Sequence, residues 1–196
     1  MNELGRSESP ITVATIAGSA ALRDVLDASF ARRPWLQSVG TFAHIDEAID
    51  AAGGARVDVA LGFLPPRDSS SLLKWRSLFD AGTSLLFLST YPNEREALRS
   101  GMAGAAGFVT RLVKTEEIVS SIVEVSNGAM FPSPMAATWL QQVEQGSWHQ
   151  QLTELELAVA REALGGQRTA EIARKLGCSH EAVLGVLGAV SDRIDS

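Results

Sequence analysis

A carboxylate at the end of a buried strand can act as a nucleophile and accept a phosphoryl group. The stretch 56–66 reads RVDVALGFLPP, which has the form of a buried strand that runs into a turn. At the end of that strand, where such an acid would lie, the chain has Gly62 and Phe63. Neither side chain can accept a phosphoryl group, so we do not expect this reaction here.

Two acids lie near this stretch in the sequence. Asp58 begins the strand, at the end away from Gly62, and is typical of a strand boundary. Asp68 follows the turn, but no acidic partner accompanies it, and Mg²⁺ binding needs several oxygen ligands held together. We therefore expect neither acid to replace a phosphoacceptor, and we assign no catalytic residue.

Other reactive side chains do not form a recognisable site. His44, His149 and His180 are scattered without the spacing of metal ligands. The single cysteine, Cys178, excludes an internal disulfide and a metal site built from several cysteines. The glycines at 101, 104 and 107 lack the G-x-G-x-x-G spacing of a phosphate-binding loop and favour a helix end with a tight turn. The sequence predicts no metal, no cofactor and no enzymatic activity.

The elements that would position these residues alternate between short apolar runs and helical patterns. Strands are predicted at Ile11–Ala17, Leu36–Phe42, Val57–Leu64, Ser84–Ser89 and Ala106–Thr110, and helices at 19–32, 45–53, 69–81, 93–101 and 114–127. Five consecutive βα units predict an α/β fold, a doubly wound parallel sheet with helices on both faces. We assign this first domain to residues 10–127.

The pattern changes near residue 128. Gly128 is typical of a helix end, and the prolines in Phe131-Pro-Ser-Pro134 cannot continue a helix. Residues 128–150 are therefore predicted to be a linker with a short helix at Met135–Gln145, in which Trp139 and Trp148 could anchor the domains or a partner. Three further helices, at 153–164, 168–176 and 179–194, predict a small all-α domain over residues 151–196.

Composition limits the function classes. The 196 residues are 45% hydrophobic and 20% charged, which is typical of a chain with a packed core. The net charge of −6 lacks the basic bias of a nucleic-acid binder. No apolar run approaches the roughly 20 residues that span a bilayer, and the first ten residues lack a signal-peptide pattern. We expect a cytoplasmic protein that does not interact with membranes.

The carboxyl-terminal residues resemble a LuxR-type helix-turn-helix domain over about 43 positions. The similarity rests on LTELEL from Leu152, GQRTAEIA from Gly166 and LGCS from Leu176, followed by Val183 and Leu187. Thr153 and Glu156 have the spacing of a capping box. The resemblance implies that the helix beginning after Ser179 is the one such domains place in the major groove of DNA.

The DNA-reading surface of that domain is poorly equipped. Residues 148–196 contain five basic and seven acidic residues, a net charge of −2, whereas phosphate contacts need positive charge. Family members usually have Thr-Val-Lys and then His where this chain has Ala182-Val183-Leu184 and Val186. The possible DNA contacts are Arg168, Thr169, Arg174, Lys175, Ser179, His180 and Leu184.

The outer face of the same helix is an alternative protein-docking surface. At 100° per residue, this face carries Glu181, Leu184, Gly185, Gly188 and Asp192. Two glycines cost roughly 1 kcal/mol each in a helix relative to alanine, which favours a position where another backbone approaches closely. We therefore expect this face to pack against a protein surface, in cis or in trans.

The first domain is similar to receiver domains of the NarL/FixJ family of response regulators, on the residues LSTY at 88–91 and EALRSGMAGAAGFVTR at 96–111. The resemblance implies a phosphorylation site at the ends of the strands, and most of its reactive residues are missing. The corresponding positions form a vestigial pocket of Ala17, Gly18, Gly62, Phe63, Ser89, Tyr91 and Arg111. The pocket is either collapsed or open to a small molecule or a partner's loop.

Two functional hypotheses follow. The first is an atypical response regulator that controls transcription as a homo- or heterodimer without aspartate phosphorylation, binding DNA weakly if at all. The second is an interaction protein that does not bind DNA and instead holds or titrates another regulator. The family resemblance favours the first hypothesis, and the charge of the outer helix face favours the second.

Overall fold

A computed structural model describes residues 9–63, 66–89, 94–110, 114–129 and 152–194. Its first domain alternates strands and helices: β1 (Ile11–Ile16), α1 (Ala20–Phe30), β2 (Leu36–Phe42), α2 (Ile45–Gly54), β3 (Val59–Gly62), α3 (Ser69–Asp80), β4 (Ser84–Ser89), α4 (Glu94–Ala103), β5 (Ala105–Thr110) and α5 (Thr115–Ser126). The second contains α6 (Glu154–Leu164), α7 (Thr169–Leu176) and α8 (His180–Arg193). The predicted linker helix at Met135–Gln145 lies outside the described residues.

The five strands form one parallel sheet in the order β2-β1-β3-β4-β5. The predicted receiver-like α/β fold is therefore confirmed. The observed β3 begins at Val59, two residues later than predicted, and ends at Gly62; the predicted end at Leu64 lies outside the described residues. Helix α4 extends two residues beyond its predicted end, to Ala103.

Two apolar layers cover the sheet. Helices α1 and α5 pack on one face through residues that include Phe30 and Ile122. On the other face, α2, α3 and α4 form a layer whose apolar core continues into the second domain. Trp75 and Leu98 from the first domain share this core with Val159, Val183 and Leu187 from the second.

The ends of the last three helices follow local rules. Thr153 and Glu156 form the predicted capping box of α6, with a bond from Thr153 N to Glu156 Oε2 of 2.8 Å. Helix α7 ends at Gly177, whose φ of +66° is accessible to glycine at little cost. Ser179 caps α8 by accepting a hydrogen bond from the amide of Ala182. None of the described helices is long and apolar enough to cross a bilayer.

Candidate functional site

The carboxyl ends of β1 and β3 bring four residues of the predicted vestigial pocket together. Gly62 pairs with Ile16 across these strands, and the amide of Phe63 donates to the carbonyl of Ile16 at 2.9 Å. Ala17 and Phe63 are buried, whereas Gly18 is exposed. No side chain in this group carries a carboxylate.

The other pocket residues lie further along the sheet edge or beyond the described part of the chain. Ser89 ends β4 and is buried, with 9% of its surface exposed. Tyr91 and Arg111 fall outside the described residues. Their predicted part in the pocket remains a prediction.

Trp75 of α3 occupies the space in front of Gly62. A β-carbon built on Gly62 would lie 2.6 Å from Cη2 of Trp75 and 3.0 Å from Cδ1 of Phe87. The indole and the Phe87 ring pack edge to face, with their centroids 4.7 Å apart. Because Trp75 is 2% exposed, the volume that a side chain at position 62 would need is filled by a buried ring.

The two nearby acids have structural partners. Burial alone would raise the pKa of Asp58, but hydrogen bonds from the amide and hydroxyl of Thr12 and from Arg56 hold it below its ordinary value. Asp68 is the N-cap of α3, and hydrogen bonds from Ser71 lower the pKa of its carboxyl. Each acid is therefore stabilised as a carboxylate by its neighbours in the fold.

A surface cleft of about 370 Å³ opens on the α2–α3 side of the same sheet edge. Ile16 and Trp75 contribute apolar surface to it, and Asp68 lies in its wall. Lys74 and Asp46, also in the wall, form an ion pair of 2.8 Å between α3 and α2. The cleft therefore combines an apolar floor with a polar rim.

The second domain packs directly on α3 and α4. Helix α8 contacts α3, and α6 contacts α4. Around the helix axis, the buried arc of α8 extends from Val190 through Leu187 and Ser191 to Gly188. The helix that would enter the DNA groove therefore uses one side to complete its own domain and to contact the first domain.

A cluster of polar contacts surrounds Arg76 at this interface. The side chain is fully buried and donates to the hydroxyl of Thr169 at 3.0 Å, the carbonyl of Met102 at 3.0 Å and the carbonyl of Gln167. The carboxylate of Asp80 lies 3.5 Å away. Burial lowers the pKa of Arg76 and the carboxylate opposes that effect, so the guanidinium stays charged.

Two further arginines link the domains. Arg99 of α4 donates to the hydroxyl and the carbonyl of Ser191, at 3.1 and 3.2 Å. Arg168 donates to the carbonyl of Phe79, and its guanidinium lies 4.8 Å from the centroid of that ring. Arg168 occupies the N-cap of α7, where serine, threonine, aspartate or asparagine is normally preferred. This residue therefore departs from the local capping preference while making an interdomain contact.

The residues predicted as possible DNA contacts are not equally accessible. Thr169 is fully buried against Asp80, and Arg168 is half-buried against Phe79. Arg174, Lys175, Ser179 and His180 are exposed, although Lys175 is paired with Glu162 at 2.6 Å. Leu184 is half-buried.

The predicted docking face is also partly buried and partly exposed. Gly188 is buried, and a β-carbon there would lie 3.8 Å from Cδ1 of Leu73 and 3.9 Å from Cβ of Ser69, both on α3. Glu181, Gly185 and Asp192 are exposed. The structure thus places part of this face against the first domain and leaves the acidic part in solvent.

Sequence reasoning missed the residues that carry the polar interface: Arg76, Asp80, Arg99 and Ser191. One signal was available, since Leu72, Leu73 and Phe79 lie three or four positions from Arg76, so a regular helix places this arginine beside apolar side chains. Nothing local identified Thr169 as the partner of Asp80, because the two residues are 89 positions apart.

Comparisons with known proteins relate most of the chain to a transcriptional regulatory protein. It is 28% identical over 173 residues to the transcriptional regulatory protein UhpA of Escherichia coli, covering 88% of this chain and 86% of that protein. The Salmonella typhimurium UhpA gives the same identity and coverage. No protein-family model matches the chain.

Solved structures show the same fold at low identity. A two-component response regulator RcsB–DNA complex superposes with a TM-score of 0.56 at 17% identity, covering 91% of this chain and 88% of that one. The receiver domain of a NarL response regulator from Mycobacterium tuberculosis covers 61% of this chain and 98% of its own, with a TM-score of 0.54 and 18% identity. The matches support a receiver-like domain followed by a helix-turn-helix domain.

Proposed function

Taking the chain as a NarL/FixJ-type response regulator with a receiver-like and a helix-turn-helix domain, we propose that it regulates transcription without phosphoryl transfer to an aspartate. It acts in the cytoplasm as a homo- or heterodimer, and it is not an enzyme. Its similarity to UhpA, a transcriptional regulatory protein, supports the general role. The finer points rest on the residues of this chain.

The packing of Trp75 against Gly62 is the observation that carries phosphorylation independence. An aspartyl phosphate needs a carboxylate nucleophile with room for a phosphoryl group and a hydrated Mg²⁺. Here glycine stands at the strand end, and the indole lies where the first atom of a side chain would be. The acids on either side, Asp58 and Asp68, bond Thr12 and Ser71 instead.

Incubation with acetyl phosphate and Mg²⁺ tests this proposal directly. We expect the intact mass of the full chain to stay unchanged, and the same chain incubated with Mg²⁺ alone is the control. An acid-stable, base-labile adduct of one phosphoryl group per chain would overturn phosphorylation independence. Mapping the adduct to Asp58 or Asp68 would identify the acid responsible.

Weak DNA binding is the second part of the proposal. In the arrangement described, Arg168 and Thr169 contact the first domain, which leaves Arg174 as an exposed cation on α7. Since each phosphate contact contributes to affinity and to its salt dependence, we expect shallow salt dependence for the full chain. Anisotropy titrations with a labelled duplex at several salt concentrations measure that slope. Tight, steeply salt-dependent binding would contradict weak binding.

The acidic, exposed part of α8 favours a second candidate function, an interaction protein that holds another regulator. Glu181 and Asp192 are exposed on the helix that would have to approach phosphates. A DNA titration of a variant with separated domains distinguishes the two functions. Gly188→Tyr places a bulky neutral group against α3. If this variant also fails to bind DNA at low salt, the second function is favoured; if it binds, the first is.

A further inference from the structure

The contact between Gly62 and Trp75 has a second consequence, because Trp75 belongs to the helix that receives the other domain. Trp75 faces the end of β3, and the next residue on α3, Arg76, donates to Thr169 and Gln167 of the second domain. One turn earlier, Leu73 lies beside Gly188 of α8. The same helix therefore contacts the strand end and the recognition helix.

These contacts leave little room for α3 to move independently. Trp75, Leu72 and Leu78 are at most 2% exposed and belong to the core that continues into the second domain. Tightly packed interiors transmit small displacements, because side chains have few vacant volumes to enter. A shift of the indole therefore moves α3 or distorts its contact with the sheet.

We propose that Gly62 and Trp75 form a size-matched pair that positions α3 for the closed arrangement of the two domains. With glycine at position 62, the indole fits against the strand and α3 presents Arg76 and Leu73 to the second domain. With any larger residue at position 62, the indole is displaced and the contacts of α3 with α8 weaken. Trp75 is thus a positioning residue: its indole fills the space in front of Gly62 and thereby fixes the position of α3.

This proposal is independent of whether the second domain binds DNA and of how the chain receives its signal. It concerns the domain arrangement alone. An adduct found in the acetyl phosphate test would not contradict the size-matched pair. A negative result in the hydrogen-exchange experiment would not contradict phosphorylation independence.

Amide hydrogen exchange in the full chain tests the proposal with Gly62→Ala. Because the new β-carbon would lie 2.6 Å from the indole, we expect overpacking to accelerate exchange in α8 by about tenfold or more. Exchange in α1, which packs on the opposite face of the sheet from Trp75, reports global unfolding and should change much less. Gly53→Ala is the matched control, since a β-carbon at Gly53 meets nothing within 4 Å.

A compensating substitution distinguishes a size-matched pair from general damage. Trp75→Phe removes part of the indole, so the double variant Gly62→Ala/Trp75→Phe should recover much of the α8 protection that Gly62→Ala loses. If Gly62→Ala does not fold, Trp75→Phe alone carries the test: the vacated volume should loosen α8 more than α1.

Three results would overturn the proposal. One is unchanged α8 exchange in Gly62→Ala. Another is equal acceleration in α8 and α1, which indicates lower global stability alone. The third is a double variant that shows no recovery relative to Gly62→Ala, because the two positions are then not coupled.

Discussion

Asp80, at the end of α3, accepts two hydrogen bonds from Thr169, at the start of α7: one from the backbone amide at 2.9 Å and one from the hydroxyl at 2.5 Å. The same carboxylate lies 3.5 Å from the buried guanidinium of Arg76. A single side chain thus caps a helix of the second domain and balances a buried charge of the first. The two domains share their electrostatic contacts as well as their apolar core.

Removing this carboxylate should destabilise the protein. Asp80→Ala leaves the buried Arg76 without its counter-charge and the Thr169 amide without its acceptor, a loss of order 3 kcal/mol in the free energy of unfolding. Urea denaturation measures the change, and Asp50→Ala, at an exposed position of α2, is the control. Equal stability of the two variants would contradict a stabilising role for Asp80.

The planar fork of Arg76 should not be replaceable by lysine. Arg76 bonds Thr169, Met102 and Gln167 in different directions, whereas an ammonium is a compact charge that cannot match that geometry. We expect Arg76→Lys to lower the free energy of unfolding by about 2 kcal/mol or more. Arg32→Lys, at an exposed arginine in the turn after α1, is the control. A loss of only about a few tenths of a kcal/mol in the free energy of unfolding for both variants would show that the guanidinium geometry is unimportant.

Two glycines on α8 provide a matched pair for testing domain closure. Gly188 lies against Leu73 and Ser69, whereas a β-carbon at Gly185 meets nothing within 4 Å. Both substitutions to tyrosine remove a helical glycine, but only Gly188→Tyr should force α8 away from α3. Small-angle scattering should show a larger radius of gyration for Gly188→Tyr and no change for Gly185→Tyr. Identical profiles for the two variants would argue against the closed arrangement in solution.

The exposed glycine at position 185 of α8 should make the protein less stable than alanine at that position would. Because a β-carbon at this position meets nothing within 4 Å, Gly185→Ala should raise the free energy of unfolding by about 0.5–1 kcal/mol through helix propensity. Thermal denaturation measures this gain. A decrease in stability would mean that the space beside Gly185 is occupied in solution, as by a second copy of the chain.

Stability should fall in acid because three carboxylates, that of Asp68 included, have lowered pKa values. Burial would raise the pKa of Glu156, but hydrogen bonds from Thr153 and Arg193 hold it below its ordinary value, and hydrogen bonds from Thr12 and Arg56 do the same for the pKa of Asp58. Their contribution is complete above the unfolded-state values and is lost as the pH falls through the folded-state values.

Urea denaturation at about pH 5 and about pH 3 measures this loss. Thr12→Val removes the hydroxyl donor to Asp58, so its stability should depend less on pH in this range. The variant should be less stable than the unsubstituted chain at the higher pH, with the difference narrowing in acid. A constant difference would exclude Asp58 as a source of the acid sensitivity.

The alternation of apolar runs and helical patterns was enough to predict the five-stranded parallel sheet and the three helices after it, because burial on both sheet faces follows from local periodicity. Caps were predictable for the same reason: Thr153 and Glu156 are three positions apart and meet on one helical turn. The missing acids at Ala17, Gly62 and Phe63 could be found by position along the chain.

What the sequence left undecided was where the second domain lies. Periodicity indicates that Val183 and Leu187 are buried, and the glycine at 188 suggests a close neighbour, but neither identifies α3 as that neighbour. The pairing of Arg76 with Thr169 joins residues 93 positions apart. Contacts of that kind depend on shape and charge complementarity between two folded surfaces. Local pattern determined each element of this protein, and only tertiary packing decided that α8 shares one core with Trp75, the side chain that faces Gly62.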